Sequence, residues 1–282
     1  MALRYARRQG ASSDKKQGPG SLLRLVLSVL LIAWVIRSFV FAPFSIPSGS
    51  MLPTLFIGDY VMVAKWPYGV SRHSFPWGFP SFDGRLFGTT PERGDVVVFR
   101  APGSDEDFVK RVVGVPGDRI AVQNGMLIIN GRPIPRQPQG TFAMPISANS
   151  PCRVVGGASQ MIAQGDDGKP ACLYPVYSET LPGGRTYEVI DQVENPRADQ
   201  IPTTVVPAGH VFLMGDNRDD SLDSRFSVEE GGIGFVPIEN LIGRATFIFW
   251  STDGTADYAK PWTWFSALRG YRIATGFDGP ER

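Results

Sequence analysis

The sequence predicts a mainly β protein carried on a single N-terminal transmembrane helix, with a main domain built as a β-sandwich or partly open barrel and a smaller β subdomain inserted into it. Three observations lead there. The stretch "LLRLVLSVLLIAWVIRSFVF", Leu22 to Phe41, reaches the ~20 residues that cross a bilayer core of ~30 Å. Behind it come short runs rich in β-branched and aromatic residues, each bounded by Gly, Pro or Asp. No long helical periodicity follows the span, and no internal repeat is visible.

The elements can be justified in chain order. Residues 1–20, "MALRYARRQGASSDKKQGPG", carry Arg4, Arg7, Arg8, Lys15 and Lys16 on a Gly/Ser/Gln background, the composition of a basic, solvated cytoplasmic tail. Residues 21–42 are the anchor. Arg24 and Arg37 lie near its ends, where long side chains can snorkel to the head groups. The basic residues ahead of the span orient the N-terminus to the cytoplasm and everything from Pro43 onward to the opposite side, as expected of a single-pass membrane protein. A cleavable signal peptide, with Val40 and Ala42 before the cut, is the competing reading; Pro43 would then follow the scissile bond as a tertiary amide. A buried core helix fails for want of a polar face.

Residues 43–121 and 207–258 are assigned to the main β domain, with strands expected in "YVMVAKW", "DVVVFRA", "FVKRVVGV", "HVFLMG" and "RATFIFW". Gly-Asp pairs punctuate them at Gly58-Asp59, Gly94-Asp95, Gly117-Asp118 and Gly215-Asp216. Between 122 and 206 the chain becomes rich in Pro, Gly, Gln and Asn, which marks the insert. "RHSFPWGFPSFDGRLFG" sets Phe75, Trp77, Phe79, Phe82 and Phe87 among prolines and glycines; these aromatics belong either at the lipid–water boundary or folded onto the core. The tail from 259 to 282, with "KPWTWFSALRGYR", is basic and aromatic together and is a candidate interfacial segment.

Composition excludes several functions. With 28 basic against 27 acidic residues and a net charge of +1, the chain has no excess of positive charge to neutralise nucleic-acid phosphates. Two cysteines, Cys152 and Cys172, and two histidines, His73 and His210, are too few for a recognisable metal centre, and no cofactor is implied. Outside the cytosol the two cysteines could pair; as unpaired small core residues they would be equally ordinary.

The chemistry is sought in "IPSGSMLPTL", a loop shaped by Pro47, Gly49 and Pro53 immediately after the anchor. In "DFVKRVVGV" strand alternation places Lys110 on one face and Arg111 on the other, so one cation is forced against apolar neighbours. Arginine keeps its proton and would need an acid; desolvation can strip a proton from lysine and make it a general base for a serine hydroxyl.

Four segments, "IPSGSMLPTL", "RGDVVVFR", "FVKRVVGVPGD" and "GDNRDDSLDSR", follow an anchor in this order, and the combination resembles bacterial signal peptidase I. The resemblance covers roughly Phe39 to Ile120 and His210 to Trp250. It implies a membrane serine endopeptidase that takes preprotein signal peptides as substrates, cuts after an Ala-Xaa-Ala-like site and needs neither metal nor cofactor. By the same resemblance Ser50 is the nucleophile and Lys110 the base. Ser48 would complete the oxyanion hole with the Ser50 N–H, and Ser221 would orient the lysine. Asp216, Arg218, Asp223 and Arg225 would form an ionic framework, with Arg111 as partner of Asp216. Pockets for small residues are expected near Ile46, Pro47 and Phe99. The sequence departs from the family at "SVEEGGI", which lengthens a loop after Arg225. A self-cleaving Ser-Lys repressor would share the β fold but begin with a DNA-binding helix pair, and a non-enzymatic membrane-anchored binding module would need neither Ser50 nor Lys110.

Overall fold

The computed structural model describes residues 19–153, 162–165, 168–257 and 259–277, so nearly all of the expected basic tail lies outside them. Pro19–Phe39 is one α-helix. Its apolar side chains point outward along most of its length, with Leu22 61% and Leu31 62% exposed. Twenty residues, Gly20–Phe39, are apolar enough to span, and at ~1.5 Å per residue they cover the ~30 Å of a hydrocarbon core. A helix that is apolar all round and unburied by its own protein is solvated well by lipid and poorly by water. Helix geometry stops at Phe39 because Phe41–Ser45 is recruited as a strand, pairing antiparallel with Asp59–Ala64. Pro43 is tolerated there because this strand lies at the edge of its sheet, where a missing N–H breaks no interior ladder.

That sheet has seven strands in the order Phe41–Ser45, Asp59–Ala64, Leu241–Ser251, Val96–Arg100, Asp107–Gly114, His210–Met214 and Val236–Pro237. All neighbours are antiparallel. Leu241–Ser251 shifts register twice against Asp59–Ala64 and once against Val96–Arg100; such bulges bend a strand and raise its twist. The sheet curls accordingly into an open half-barrel, and the chain is mainly β as the sequence predicts. Met51, Leu55, Val61, Val63, Val98 and Ile248 fill one core cluster; Val97, Phe99, Val112, Leu213 and Leu241 fill another.

The compositional boundary at residue 122 cuts through a strand. Arg119–Gln123 joins Met126–Ile129, Arg132–Pro133 and Gln200–Val205 in a four-stranded sheet. Arg136–Pro145, Ile162–Gln164, Pro170–Thr180 and Thr186–Ile190 form another. A single apolar cluster unites Val113, Phe212 and Met214 of the main sheet with Ile120, Leu127, Tyr187 and Val189, so this region shares its core with the half-barrel. Cys152 and Cys172 form a disulfide. The aromatic loop divides between its two readings: Phe75 is buried, stacked on Trp34 of the helix at 5.7 Å, whereas Trp77 and Phe87 are 97% and 91% exposed. The C-terminal segment is equally divided. Arg269 and Arg272 are buried and Phe277 enters the core, while Trp262, Phe265 and Tyr271 face outward. Arg272 reaches back to the Asp59 carboxylate at 2.5 Å and to the Thr54 carbonyl at 2.9 Å, gripping the chain just after the serine loop.

Candidate active site

The serine loop is held from below and from the side. Met51, Leu52 and Leu55 sink into the protein interior, and a turn closes through the Leu52 N–H to the Gly49 carbonyl (3.1 Å) and the Leu55 N–H to the Met51 carbonyl (2.8 Å). From the facing segment Asn217 donates its side-chain amide to the Gly49 carbonyl (3.1 Å) and its backbone N–H to the Ser50 carbonyl (3.0 Å). These two bonds fix the peptide carbonyls before and after the Ser50 side chain. Only glycine fits at 215, because a Cβ there would clash with Ser221 Oγ and with the Ser50 carbonyl.

Lys110 and Arg111 are adjacent on Asp107–Gly114, and both are buried, 5% and 1% exposed. Sequence reasoning expected one buried cation; the protein buries two, by different means. Arg111 is paired: its guanidinium donates to Asp216 at 2.6 and 2.8 Å and to the Gly94 carbonyl at 2.8 Å, and lies 4.2 Å over the Tyr187 ring. Burial pushes its pKa down, and the Asp216 charge and hydrogen bonds more than restore it. Lys110 has no such partner among the described residues. Its Nζ lies 2.5 Å from Ser50 Oγ, and the carboxylates that act on it most strongly, Asp223 and Asp216, are each bound to an arginine. Burial lowers the lysine pKa to about 8 in spite of the upward pull of Asp223, Asp216 and Asp220. A neutral amine is therefore accessible near neutral pH, in line with a serine hydroxyl that can give it a proton.

Ser48 Oγ stands 3.4 Å from Ser50 Oγ on the exposed side of the loop. Ser221 is buried on the same cavity wall, but its Oγ has no hydrogen-bond partner among the described residues, so the expected bond to Lys110 is not made here. Asp223 accepts from Arg225 Nε and Nη2, both at 2.9 Å, and from the Gly215 N–H at 2.9 Å. Burial drives its carboxyl upward, and these donors hold it below the ordinary carboxylate value. The lengthened loop after Arg225 leaves that residue seated; it turns on itself through the Gly232 N–H to the Ser227 carbonyl at 2.8 Å. Arg218 pairs with Glu179 at 2.9 Å, and Tyr187 donates to the same carboxylate at 2.9 Å.

Sequence reasoning missed Glu179, Tyr187, Thr54 and Asn217. The first two lie in the compositionally weak insert and give no local signal. Thr54, which donates to Asp216 at 2.5 Å, and Asn217 lie inside motifs already singled out, and their polar side chains beside the Ser50 loop and Arg218 were the available clue. A cleft of about 760 Å³ opens over Ser50 and Lys110, walled by Phe44, Ile46, Pro47, Val98, Phe108 and Leu222. Phe99 is not among its walls. Alternation along Val96–Arg100 turns it to the other face, into the core with Tyr68 and Leu213.

The model of the signal peptidase, peptidase S26 family matches residues 20–250, a span that holds the anchor, the serine loop, Lys110 and the whole ionic framework. The chain belongs to that family. Signal peptidase I of Rickettsia typhi is 38% identical over 236 residues, covering 80% of this chain and 78% of the relative. Signal peptidase I of Rickettsia akari is 36% identical over 233 residues, covering 79% and 77%. A crystal structure of a signal peptidase I from Enterococcus faecalis is 23% identical, covers 56% of this chain and 98% of its own, and superposes with a TM-score of 0.29. As a family member the chain is a serine endopeptidase of signal-peptide-bearing preproteins, and its apolar N-terminal helix fits a membrane anchor. The C-terminal grip of Arg269 and Arg272 falls beyond the matched residues.

Proposed function

We propose that this protein removes N-terminal signal peptides from exported preproteins by a Ser-Lys mechanism, with Ser50 as nucleophile and Lys110 as the neutral general base. The observation that carries the reading is the 2.5 Å approach of Lys110 Nζ to Ser50 Oγ at the wall of the cleft, with the lysine buried and without a carboxylate partner among the described residues. Ser50 Oγ attacks the scissile carbonyl as its proton passes to Lys110 Nζ. The Ser50 N–H and the Ser48 hydroxyl would donate to the oxyanion, which the 3.4 Å spacing of the two side chains supports. The C–N bond then breaks, Lys110 returns the proton to the leaving amine, and water hydrolyses the ester by the same base to release the signal peptide.

Ser221 acts in this reading as the hydroxyl that orients the lysine once substrate binds, since its buried Oγ faces the same cavity with its hydrogen-bonding capacity free in the described residues. The Arg111–Asp216 and Arg225–Asp223 pairs, with Arg218, fix the floor beneath it. Apolar cleft walls of Ile46, Val98 and Phe108 favour small side chains such as alanine on either side of an intervening residue. The cleft begins at Phe44, five residues past the helix, so substrates anchored by their own apolar segment present the bond at the right height. We place the N-terminus in the cytoplasm and the catalytic domain on the far side of a bacterial plasma membrane, for which the basic residues ahead of the span and the disulfide in an oxidising compartment both speak.

The test is cleavage of a peptide containing Ala-Xaa-Ala before the bond by detergent-purified protein. The parent should cut it after the second alanine and Ser50→Ala should not; a Ser50→Ala variant with full activity ends the proposal.

A further inference from the structure

A second cavity, of about 820 Å³, opens between the apolar helix and the sheet. Its halves differ in chemistry. Leu30, Leu31 and Trp34 of the helix and Phe75 of the aromatic loop make one half apolar; Arg37, Lys65 and Arg100 line the other, with Asp107 as the carboxylate among them. Arg100 already holds Asp107, Nε to Oδ1 at 2.9 Å, and also Asp105, Nη1 to Oδ1 at 3.6 Å, so the carboxylate that lines the cavity is taken up by Arg100. Lys65 is 3% exposed, donates to the Ser74 carbonyl at 3.2 Å and forms no ion pair among the described residues. Burial lowers its pKa to about 8, and the nearby charges of Arg37 and Arg85 push the same way against Asp107. Like charges converging on one cavity favour an anion between them.

We propose that this cavity is a binding site for one anionic phospholipid, its phosphate held between Arg37 and Lys65 and its acyl chains lying along Leu30, Leu31 and Trp34. The occupant follows from the walls. A free phosphate would use only the charged half, whereas the apolar half runs on without a break into the exposed face of the helix, 62% exposed at Leu31. The site also sits at head-group depth: Arg37 is in the last turn of the helix, and Trp77, 97% exposed, projects beside it as an interfacial aromatic would. Phe44 and Asp107 line both this cavity and the cleft that holds Ser50, so a seated lipid would brace the helix against one wall of the cleft. The inference rests on the reading that Gly20–Phe39 spans a membrane.

The experiment uses the full chain in nanodiscs of equimolar phosphatidylcholine and phosphatidylglycerol, with lipid retention read by native mass spectrometry. The parent should retain phosphatidylglycerol in preference to phosphatidylcholine. Lys65→Gln and Arg37→Gln should each lower that preference by at least about fivefold, the factor expected for one basic residue at an anionic surface, and Lys65→Arg should restore it. Arg37→Gln, at an exposed helix position, keeps the test decisive should Lys65→Gln fail to fold. Equal retention of both lipids by the parent, or an unaltered preference in Arg37→Gln, overturns the site. Loss of the bound lipid to inorganic phosphate alone would overturn the lipid reading in favour of a phosphate site. Extraction of the chain from membranes by alkaline washing would remove the anchor reading itself; an embedded chain with no lipid preference removes only this inference.

Discussion

Lys110 and Lys65 are buried to nearly the same degree, 5% and 3% exposed, and burial lowers the pKa of each to about 8. Their surroundings differ in what they offer the nitrogen. Lys110 faces the Ser50 hydroxyl at 2.5 Å, a group that can give up a proton; Lys65 faces the Ser74 carbonyl at 3.2 Å, which has none to give. One lysine opens onto the cleft bounded by Ile46 and Val98, the other onto a cavity at the foot of the anchor shared with two arginines. Desolvation makes an amine available, and whether the group opposite can donate a proton decides whether that amine can act as a base.

Removal of Lys110 should have the largest effect. Lys110→Met is expected to lose cleavage by about 10⁴- to 10⁶-fold, the range seen when one member of a nucleophile–base unit is lost. Its melting temperature should hold or rise, because a fall from 10.5 to about 8 corresponds to roughly 3 kcal/mol charged against the folded state. The sign follows from linkage. Below pH 8 that cost is present in full; between about 8 and 10.5 the unfolded chain binds more protons than the folded one, so stability rises with pH, and above 10.5 the cost is gone. The advantage of Lys110→Met should shrink over that window. A variant clearly less stable than the parent at pH 7 would mean that a carboxylate holds the charged lysine.

Arg218 offers the opposite treatment of a buried cation, since Glu179 pairs with it fully inside the protein. Glu179→Ala leaves that guanidinium uncompensated and should cost about 3–5 kcal/mol in chemical denaturation. A loss below ~1 kcal/mol would show that the pair is not part of the framework. Ser48→Ala removes one oxyanion donor and nothing from the dyad, so kcat should fall by about 10²- to 10³-fold with the pH profile unchanged in shape. A variant with the parent's kcat would take Ser48 out of the oxyanion hole.

Much of this was legible in the sequence because its signals are local. The apolar helix is a run of apolar residues, each main strand is a β-branched run between turn residues, and the proposed dyad lies within motifs whose order and context resemble one family. Alternation along Phe108 to Val113 pointed to a buried cation, and the Arg111–Asp216 pair was expected. What stayed hidden depends on distant pairing. Glu179 and Tyr187 come from a Pro/Gly-rich region with weak patterning, yet they complete the Arg218 and Arg111 environments. The boundary at 122 was misread because composition changes there while strand Arg119–Gln123 does not stop. The pocket expected around Phe99 is lined by its neighbour Val98, because alternation along Val96–Arg100 turns Phe99 itself to the other face. The C-terminal grip on Asp59 and Thr54 needed three-dimensional closure to be seen.

The central claim is that neutral Lys110, and no other buried lysine, receives the proton of Ser50. The pH dependence of kcat/KM on a soluble peptide, measured in detergent for the parent and for Lys65→Met, tests it most directly. At pH 7 about one molecule in ten carries the neutral amine if the group titrates near 8, so the rate should climb through that pH and level off above it. The account predicts the same inflection, near 8, in both proteins. An inflection near 10.5 in the parent, or one that disappears in Lys65→Met, would contradict it.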